Sequence, residues 1–354
     1  MTADHRVSVV FEAPERVALH EEALPEPSDG EVRVQTVVSG ISPGTERLIY
    51  RGDAPKTLAA DASFASMEGA GLEFPLRYGY ACVGVVDATG PSVASEWEGT
   101  RVFAFQPHTS AFTADPDTLI PLPEAVTDEE AVLIPSLETA VNVVMDGQPV
   151  IGEKVVVFGQ GVVGLLTTFL LSRHPLERLV AVEPSGERRR WANRMGADRT
   201  FSPDDLPAVR ELLGINSPNP VEAQADLEGA DLVYELSGQP QVLNDAVAST
   251  GFAGRILVGS WYGQHSAPLN LGGRFHRSQM ELKATQVSTV DPQLRGRWTK
   301  ERRMQLVLSL LAEDSFEPLS THAFSIRDVA SAYESLDAAS PSMLQPLLRY
   351  DSLD

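Results

Sequence analysis

The rhythm of hydrophobic and polar positions changes once along this chain. Over the first 120 residues, short runs alternate apolar and polar positions: "RVSVVFEA", "EVRVQTVVSG", "ACVGVVDATG" and "TRVFAFQP", each bounded by turn-forming residues. A two-residue period predicts strands with one buried face, so this part reads as all-β. From about Asp128 the texture differs. "TDEEAVLIPSLETAVNVVMDG" opens on Thr127, carries acids in its first turn and stops at Gly147, which predicts one helix. Strand and helix patterns then alternate through Val155–Phe158, the run after Gly161, "RLVAVEPS", "GERRRWANRMGA", "DLVYELSG", "PQVLNDAVAST" and "RILVGSWYG". Strands separated by helices predict a parallel, doubly wound α/β sheet. After about Gln286, a helix ("RRMQLVLSLLAED") and a strand ("SMLQPLLRY") return to the first domain. The small-residue segment between Arg51 and Glu73 reads as a loop or short helix over a site.

The turn between the first strand and helix of the alternating part is a glycine cluster, Gly159-Gln160-Gly161-Val162-Val163-Gly164. The spacing is common, but a strand precedes it and a helix pattern follows. In that setting Gly159 permits a tight turn, Gly161 lets a pyrophosphate approach the backbone, and Gly164 lets helix pack on strand. The N–H groups of the helix start, from Val162 and Val163 onward, are oriented for phosphate oxygens. Glu183 follows Gly159 by 24 residues, at the end of the apolar run "RLVAVE". A carboxylate there accepts hydrogen bonds from ribose hydroxyls and repels a 2′-phosphate, so NAD is the expected cofactor. Arg188 and Arg189 keep NADP open.

Composition narrows the partners. The net charge of −21 opposes a nucleic-acid surface, because phosphates would be repelled. Of 28 basic residues only Lys56, Lys154, Lys283 and Lys300 are lysines, a balance that suits solvation in concentrated salt. The single cysteine, Cys82, excludes an internal disulfide framework and a cysteine-rich zinc lobe, and fits a reducing, cytoplasmic setting. No basic-then-apolar leader is seen. The uncharged window from Val155 to Ser172 approaches the length of a membrane span, but its three glycines fit strand, turn and buried helix better.

The chain as a whole resembles the medium-chain dehydrogenase/reductase family, through "SGISPGTERL", "GYACVGVV", "GEKVVVFGQGVVGLL", "VAVEPSGERRRWANRMGAD", "LVYELSG", "GRILVGSWYG" and "PLSTHAFSIRDVASAYESLD". The first of these and "LGGRFHRSQ" are similar to a subgroup with bacteriochlorophyllide-type hydroxyethyl dehydrogenases. The resemblance implies a GroES-like β-rich domain over 1–134 and 290–354 and a Rossmann domain over 135–289, with the active site between them. It implies hydride transfer between NAD(P)H and a carbonyl or activated alkene. By motif match, Thr139 would touch the nicotinamide, Ser237 and Gly238 the adenosine side, and Val258, Gly259 and Ser260 the carboxamide, with Gln286 nearby. It also implies a homodimer joined by sheet edges, for which "RILVGSWYG" and "MELKATQVS" are the candidates. The substrate is expected to be a small molecule, bulky or apolar.

Departures from the family decide the expected chemistry. Its zinc members carry a cysteine where this chain has Ser42-Pro43, Gly-His-Glu where it has Gly79-Tyr80-Ala81, and a third ligand near Pro135. Glu46, Glu138 and His108 are the remaining donors, without zinc's usual sulfur or clustered imidazoles. The expectation is a metal-free site. Thr45 occupies the family's hydroxyl-relay position, Tyr80 replaces the zinc histidine and offers a phenol donor, and His108, after a strand end, titrates near neutrality. These three are the catalytic candidates.

Two rivals remain to be weighed. Gly40-Ile41-Ser42-Pro43-Gly44 matches a serine-hydrolase elbow, but the oxyanion hole needs the N–H of the residue after the serine, and Pro43 has none. No strong helix is expected after Gly44. A non-catalytic NAD(P)H sensor or scaffold is the alternative that lost zinc ligands leave open.

Overall fold

The computed structural model describes residues 5–55, 71–215, 228–338 and 340–350. Most of the expected cover segment, 56–70, lies outside them. The chain divides into two compact units, Met1–Pro135 with Gln305–Asp354, and Ser136–Met304.

In the first unit the strands β1 (His5–Ala13) and β2 (Arg16–Ala23) form a hairpin. Then come β3 (Val32–Gly40), α1 (Thr45–Arg51), β4 (Cys82–Thr89), β5 (Arg101–Ala104), β6 (Ala111–Ala114), β7 (Ile120–Pro121) and α2 (Asp128–Ala131). Next follow α3 (Ile134–Gly147), β8 (Lys154–Phe158), α4 (Val162–Leu171), β9 (Arg178–Val182), α5 (Gly186–Arg194), β10 (Arg199–Phe201), α6 (Leu206–Leu212), β11 (Ala230–Glu235), α7 (Val242–Ser249), β12 (Thr250–Val258) and β13 (Glu281–Ala284). The chain closes with α8 (Lys300–Glu313), β14 (His322–Ser325), α9 (Val329–Asp337) and β15 (Pro346–Arg349).

The expected helix from Thr127 to Gly147 is two helices. Thr127 and Glu130 form a capping box that starts α2, as the sequence pattern suggests. Pro135 then has no N–H to give the Ala131 carbonyl, so the helix breaks and restarts as α3. A short helix, α1, follows Gly44, where no strong helix was expected. It leaves the hydrolase argument intact, because that rests on the missing N–H of Pro43.

The first unit is a seven-stranded mixed sheet in the order β14-β15-β3-β4-β5-β7, with β6 also on β3. Val32 and Val34 of β3, Cys82 and Val86 of β4 and Phe112 of β6 fill one core. A second gathers Phe11, Ile41, Ile49, Val329 and Tyr333.

The second unit is a six-stranded parallel sheet in the order β10-β9-β8-β11-β12-β13. Its inner strands β8, β9 and β11 are buried on both faces, with side chains alternating between the faces at a period of two. On β8, Val155 and Val157 pack with Val143, Val144 and Leu171 on one side, while Val156 and Phe158 pack with Val209, Leu213 and Val247 on the other. The chain runs outward from β8 to β10, then crosses back to β11 and runs outward the opposite way. This reversal leaves a crevice at the carboxyl ends of β8 and β11, where such sheets bind ligands. The architecture is GroES-like plus Rossmann, as the sequence suggests.

Two boundaries need correction. The return to the first unit falls at Gln305, not at 290, because Arg303 is tied to Glu138 and Asn142 of α3, and Lys283 to Asp291. As for sheet edges, β12 is hydrogen-bonded on both sides; the edge is β13, from "MELKATQVS" alone. No helix among the described residues is long and apolar enough to cross a membrane.

Of 49 Asp and Glu residues, the described part buries five: Glu46, Glu130, Glu138, Glu183 and Glu235. With a net charge of −21, repulsion between like charges opposes compaction. Raising salt from 0.1 to 1 M shortens the screening length from about 10 to about 3 Å. The melting temperature should therefore rise with NaCl over this range; a flat or falling curve by differential scanning fluorimetry would contradict it.

Candidate functional site

At the end of β8 the backbone turns through Gly159, whose φ of +87° lies in the left-handed region. A Cβ there would lie 2.5 Å from Ser237 Cα, so the turn rests directly on the segment leaving β11. A Cβ on Gly164 would lie 2.0 Å from Gly159 O, so α4 packs on the turn with nothing between. Gly161 differs: a Cβ there meets nothing within 4 Å. It is the N-cap of α4, and no side chain caps the helix, whereas α5 is capped by Ser185 and α2 by Thr127. Three glycines thus serve a turn, an open approach and a close packing. The N–H groups at Val162 and Val163 begin a helix whose dipole favours an anion.

Glu183 follows β9 and is 5 % exposed. One of its oxygens accepts from Gln160 N at 2.8 Å and the other from Ser185 N at 3.0 Å. The acid therefore fixes the glycine loop as well as facing it, and each oxygen keeps lone-pair capacity for a ribose hydroxyl. Arg189 donates to the Glu183 and Pro184 carbonyls at 2.7 and 2.8 Å, which turns its guanidinium onto the backbone; Arg188 sits half-buried in the first turn of α5.

Ser237, Gly238 and Ser260 are brought together. Gly238 N donates to Ser260 Oγ at 2.8 Å, and Ser237 N donates to Glu235 Oε1 at 2.8 Å. Glu235, fully buried at the end of β11, also accepts from Ser237 Oγ and from the Tyr262 hydroxyl. Burial and the Glu235 hydrogen bond push the Tyr262 phenol well up, so it remains a donor. Sequence reasoning missed Glu235, although an acid ending the apolar run "DLVYE" is the same signal that exposed Glu183. Val258 ends β12, and Gly259 is packed so that a Cβ would approach Leu236 at 2.6 Å, Thr285 at 3.4 Å and Val143 at 3.5 Å. Thr139 is half-buried on α3, while Gln286 is exposed and folds its amide back onto Ser288 Oγ at 2.8 Å.

In the first unit Tyr80 and Thr45 lie together, the phenol donating to Thr45 Oγ1 at 3.5 Å. His108, expected as a catalytic candidate, is sealed from solvent. It is fully buried, Nδ1 lies 2.7 Å from Ser39 Oγ and Nε2 2.9 Å from Glu46 Oε2. Its ring lies against Gly79, where a Cβ would come within 2.7 Å. With Glu46 as a carboxylate, Nε2 carries the proton, Nδ1 accepts from Ser39, and Ser39 accepts from the Tyr350 hydroxyl at 2.9 Å. Glu46 accepts further bonds from Tyr333 and, at 2.7 Å, from Ser42 N. Burial and the Glu46 charge hold the Tyr333 phenol well above its usual range, so it stays protonated. His108 therefore bridges Gly79, beside Tyr80, and Glu46, beside Thr45.

The residues at the positions where the family resemblance leads one to expect zinc ligands are not of zinc's usual donor types. Ser42-Pro43, Tyr80 and Pro135 supply neither thiolate nor imidazole. The other donors are committed elsewhere: Glu46 and His108 to each other, and Glu138 to Arg303. No group of three or more His, Cys, Asp or Glu side chains suited to a metal ion occurs among the described residues.

Comparison with known proteins finds similarity to dehydrogenases. The family model for zinc-binding dehydrogenases matches residues 162–304. The starvation-sensing protein RspB of Escherichia coli is 26 % identical over 359 residues, covering 92 % of this chain and 94 % of that protein. L-threonine 3-dehydrogenase of Pyrococcus abyssi is 31 % identical over 149 residues, 42 % of this chain and 40 % of that one. A crystal structure described as a short chain alcohol dehydrogenase (rspB) from Escherichia coli, complexed with the cofactor NADH, superposes with a TM-score of 0.76 at 22 % identity, covering 98 % of this chain and 100 % of that one. The matches support the zinc-binding dehydrogenase family.

Two variants separate a phosphate cradle from a mere turn, and a positioning histidine from a surface one. Gly161→Ala should leave the melting temperature unchanged but weaken NADH binding about tenfold, ~1.4 kcal/mol. Unchanged affinity would return the cluster to a plain turn. His108→Phe leaves the buried Glu46 carboxylate short of a donor and should cost about 3 kcal/mol in urea unfolding.

Proposed function

We propose, taking the zinc-binding dehydrogenase family as premise, that the chain is an NAD(P)-dependent oxidoreductase acting on a carbonyl or alcohol, or on an activated alkene, without a catalytic zinc. The observation that carries this reading is the cradle: an open Gly161 at an uncapped helix start, in the crevice where β8 and β11 diverge, with Glu183 bonded to the loop.

When bound, the nicotinamide supplies or accepts the hydride, and the chain's own residues do the rest. Gly159, Gly161 and Gly164 with the α4 N–H groups hold the pyrophosphate. Glu183 takes the ribose hydroxyls, which favours NAD over NADP. Ser237 and Gly238 line the adenosine side, with Glu235 and Tyr262 holding their loops. Thr139, Val258, Gly259, Ser260 and Gln286 serve the nicotinamide end. Tyr80, bonded to Thr45, is the proton donor to the substrate oxygen or carbon, and Thr45 orients it. The His108–Glu46 pair keeps Tyr80 and Thr45 in register without touching substrate. A homodimer through the exposed β13 edge, and a cytoplasmic setting, complete the reading.

The test begins with binding. Wild-type protein treated with chelator should bind NADH, and Glu183→Ala should lose more affinity for NADH than for NADPH. An unchanged preference would remove Glu183 from cofactor selection. With a panel of ketones, quinones and enones, Tyr80→Phe should lower kcat by about 100-fold or more while NADH affinity holds. NADH binding without turnover on any panel member would instead favour the sensor reading.

A further inference from the structure

Arg303 is among the largest fully buried side chains described, at 1 % exposure, and the proposed reaction does not use it directly. Its Nε and Nη2 donate to Glu138 Oε1 at 3.1 and 2.7 Å. Its Nη1 donates to Asn142 Oδ1 at 2.6 Å, and Nη2 also to the Val287 carbonyl at 2.6 Å. Glu138, Asn142 and Asp146 are spaced four apart, so they form one stripe on α3. Asn142 Nδ2 donates to Thr285 Oγ1 at 3.1 Å and to Asp146 Oδ2 at 3.0 Å, and Thr285 donates to Asp146. One face of α3 is therefore tied, turn by turn, to residues 285–287.

Burying a guanidinium is costly, and an apolar residue of similar volume usually serves stability as well or better. What a guanidinium adds is geometry: a rigid fork that fixes its acceptors relative to one another. Here the acceptors are a helix face and one loop carbonyl. The helix face adjoins Thr139. The carbonyl belongs to Val287, beside Gln286. Between them sits Gly259, whose missing Cβ lets Thr285 and Val143 close in. All three are the residues assigned above to the nicotinamide end. The adenosine end has separate supports, in Gln160–Glu183 and Glu235–Tyr262.

We propose that Arg303 is a positioning residue for the nicotinamide half of the cofactor site: it sets the spacing between α3 and the segment after β13, and leaves the adenosine half untouched. The inference rests on the dinucleotide reading above. A shift of about 1 Å in such a support is enough to impair a site.

The test compares NADH with ADP-ribose, which lacks the nicotinamide, by calorimetric titration of wild type, Arg303→Met, Arg303→Lys and Glu138→Gln. Thermal melts report folding, and nicotinamide fluorescence reports the environment of the ring. In Arg303→Met, NADH affinity should fall about tenfold, with loss of the fluorescence enhancement, while ADP-ribose affinity stays within about twofold. Arg303→Lys should recover part of the NADH affinity, and Glu138→Gln should show the same split in milder form. Should Arg303→Met not fold, the split is read from the other two variants. A parallel fall for both ligands, or no fall for either, overturns the positioning role alone. Wild type binding neither ligand overturns the dinucleotide reading and this inference with it.

Discussion

Helix α4 can lie on the end of β8 only because Gly164 has no side chain, since a Cβ there would sit 2.0 Å from Gly159 O. That one close approach aims the helix axis at the crevice between β8 and β11. It also brings the helix start under Gly161, where the backbone is open. The neighbouring loop contacts gather around this approach. Glu183 holds Gln160 N, Gln160 Oε1 accepts from Thr168 at 3.0 Å, and the segment after β11 closes under Gly159. A residue of any size at Gly164 would tilt the helix and misdirect the N–H groups together.

The other unit depends on a different kind of constraint, a buried carboxyl group with many hydrogen-bond partners. Glu46 sits in an apolar setting and draws hydrogen bonds from His108, Tyr333 and Ser42 N. Each donor lies on a different stretch of chain, so satisfying one carboxylate ties the turn before α1, the segment after β5 and helix α9 into one arrangement. Leaving a partner out would strand a charge in low dielectric, which costs far more than the bond itself contributes. Tyr80 and Thr45 inherit their placement from it: one follows Gly79, which His108 touches, and the other precedes Glu46. The same economy recurs at Arg303, where one buried cation organises two segments.

Much of the proposed cofactor site is legible in the sequence. The glycines announce their roles by position: a strand ends, a helix begins, and an acid closes the next strand. These are local signals, because turn geometry and helix starts depend on few neighbours. The role of His108 was not legible in this way. Nothing in "FAFQPHTS" says that its ring will be sealed between Ser39 and Glu46, residues far away along the chain. Glu235 and Arg303 were missed for related reasons. The first carried a signal that went unread, and the second sits in a charged run, "KERRMQ", where one arginine of two turns inward.

By itself the sequence determined the two-part architecture and the parallel sheet, and it placed the glycine turn and the acid at the end of the next strand. Periodicity, turn chemistry and residue identity are properties of short stretches, so a single chain displays them. Tertiary structure alone decided which polar groups are buried and with whom: His108 with Glu46, Arg303 with Glu138, Glu235 with Tyr262. It also decided the break at Val132–Leu133 and that β13, not β12, is the sheet edge. Burial of a charge is tolerable only if distant segments supply its partners, and the local pattern of a chain does not record which distant segments those will be.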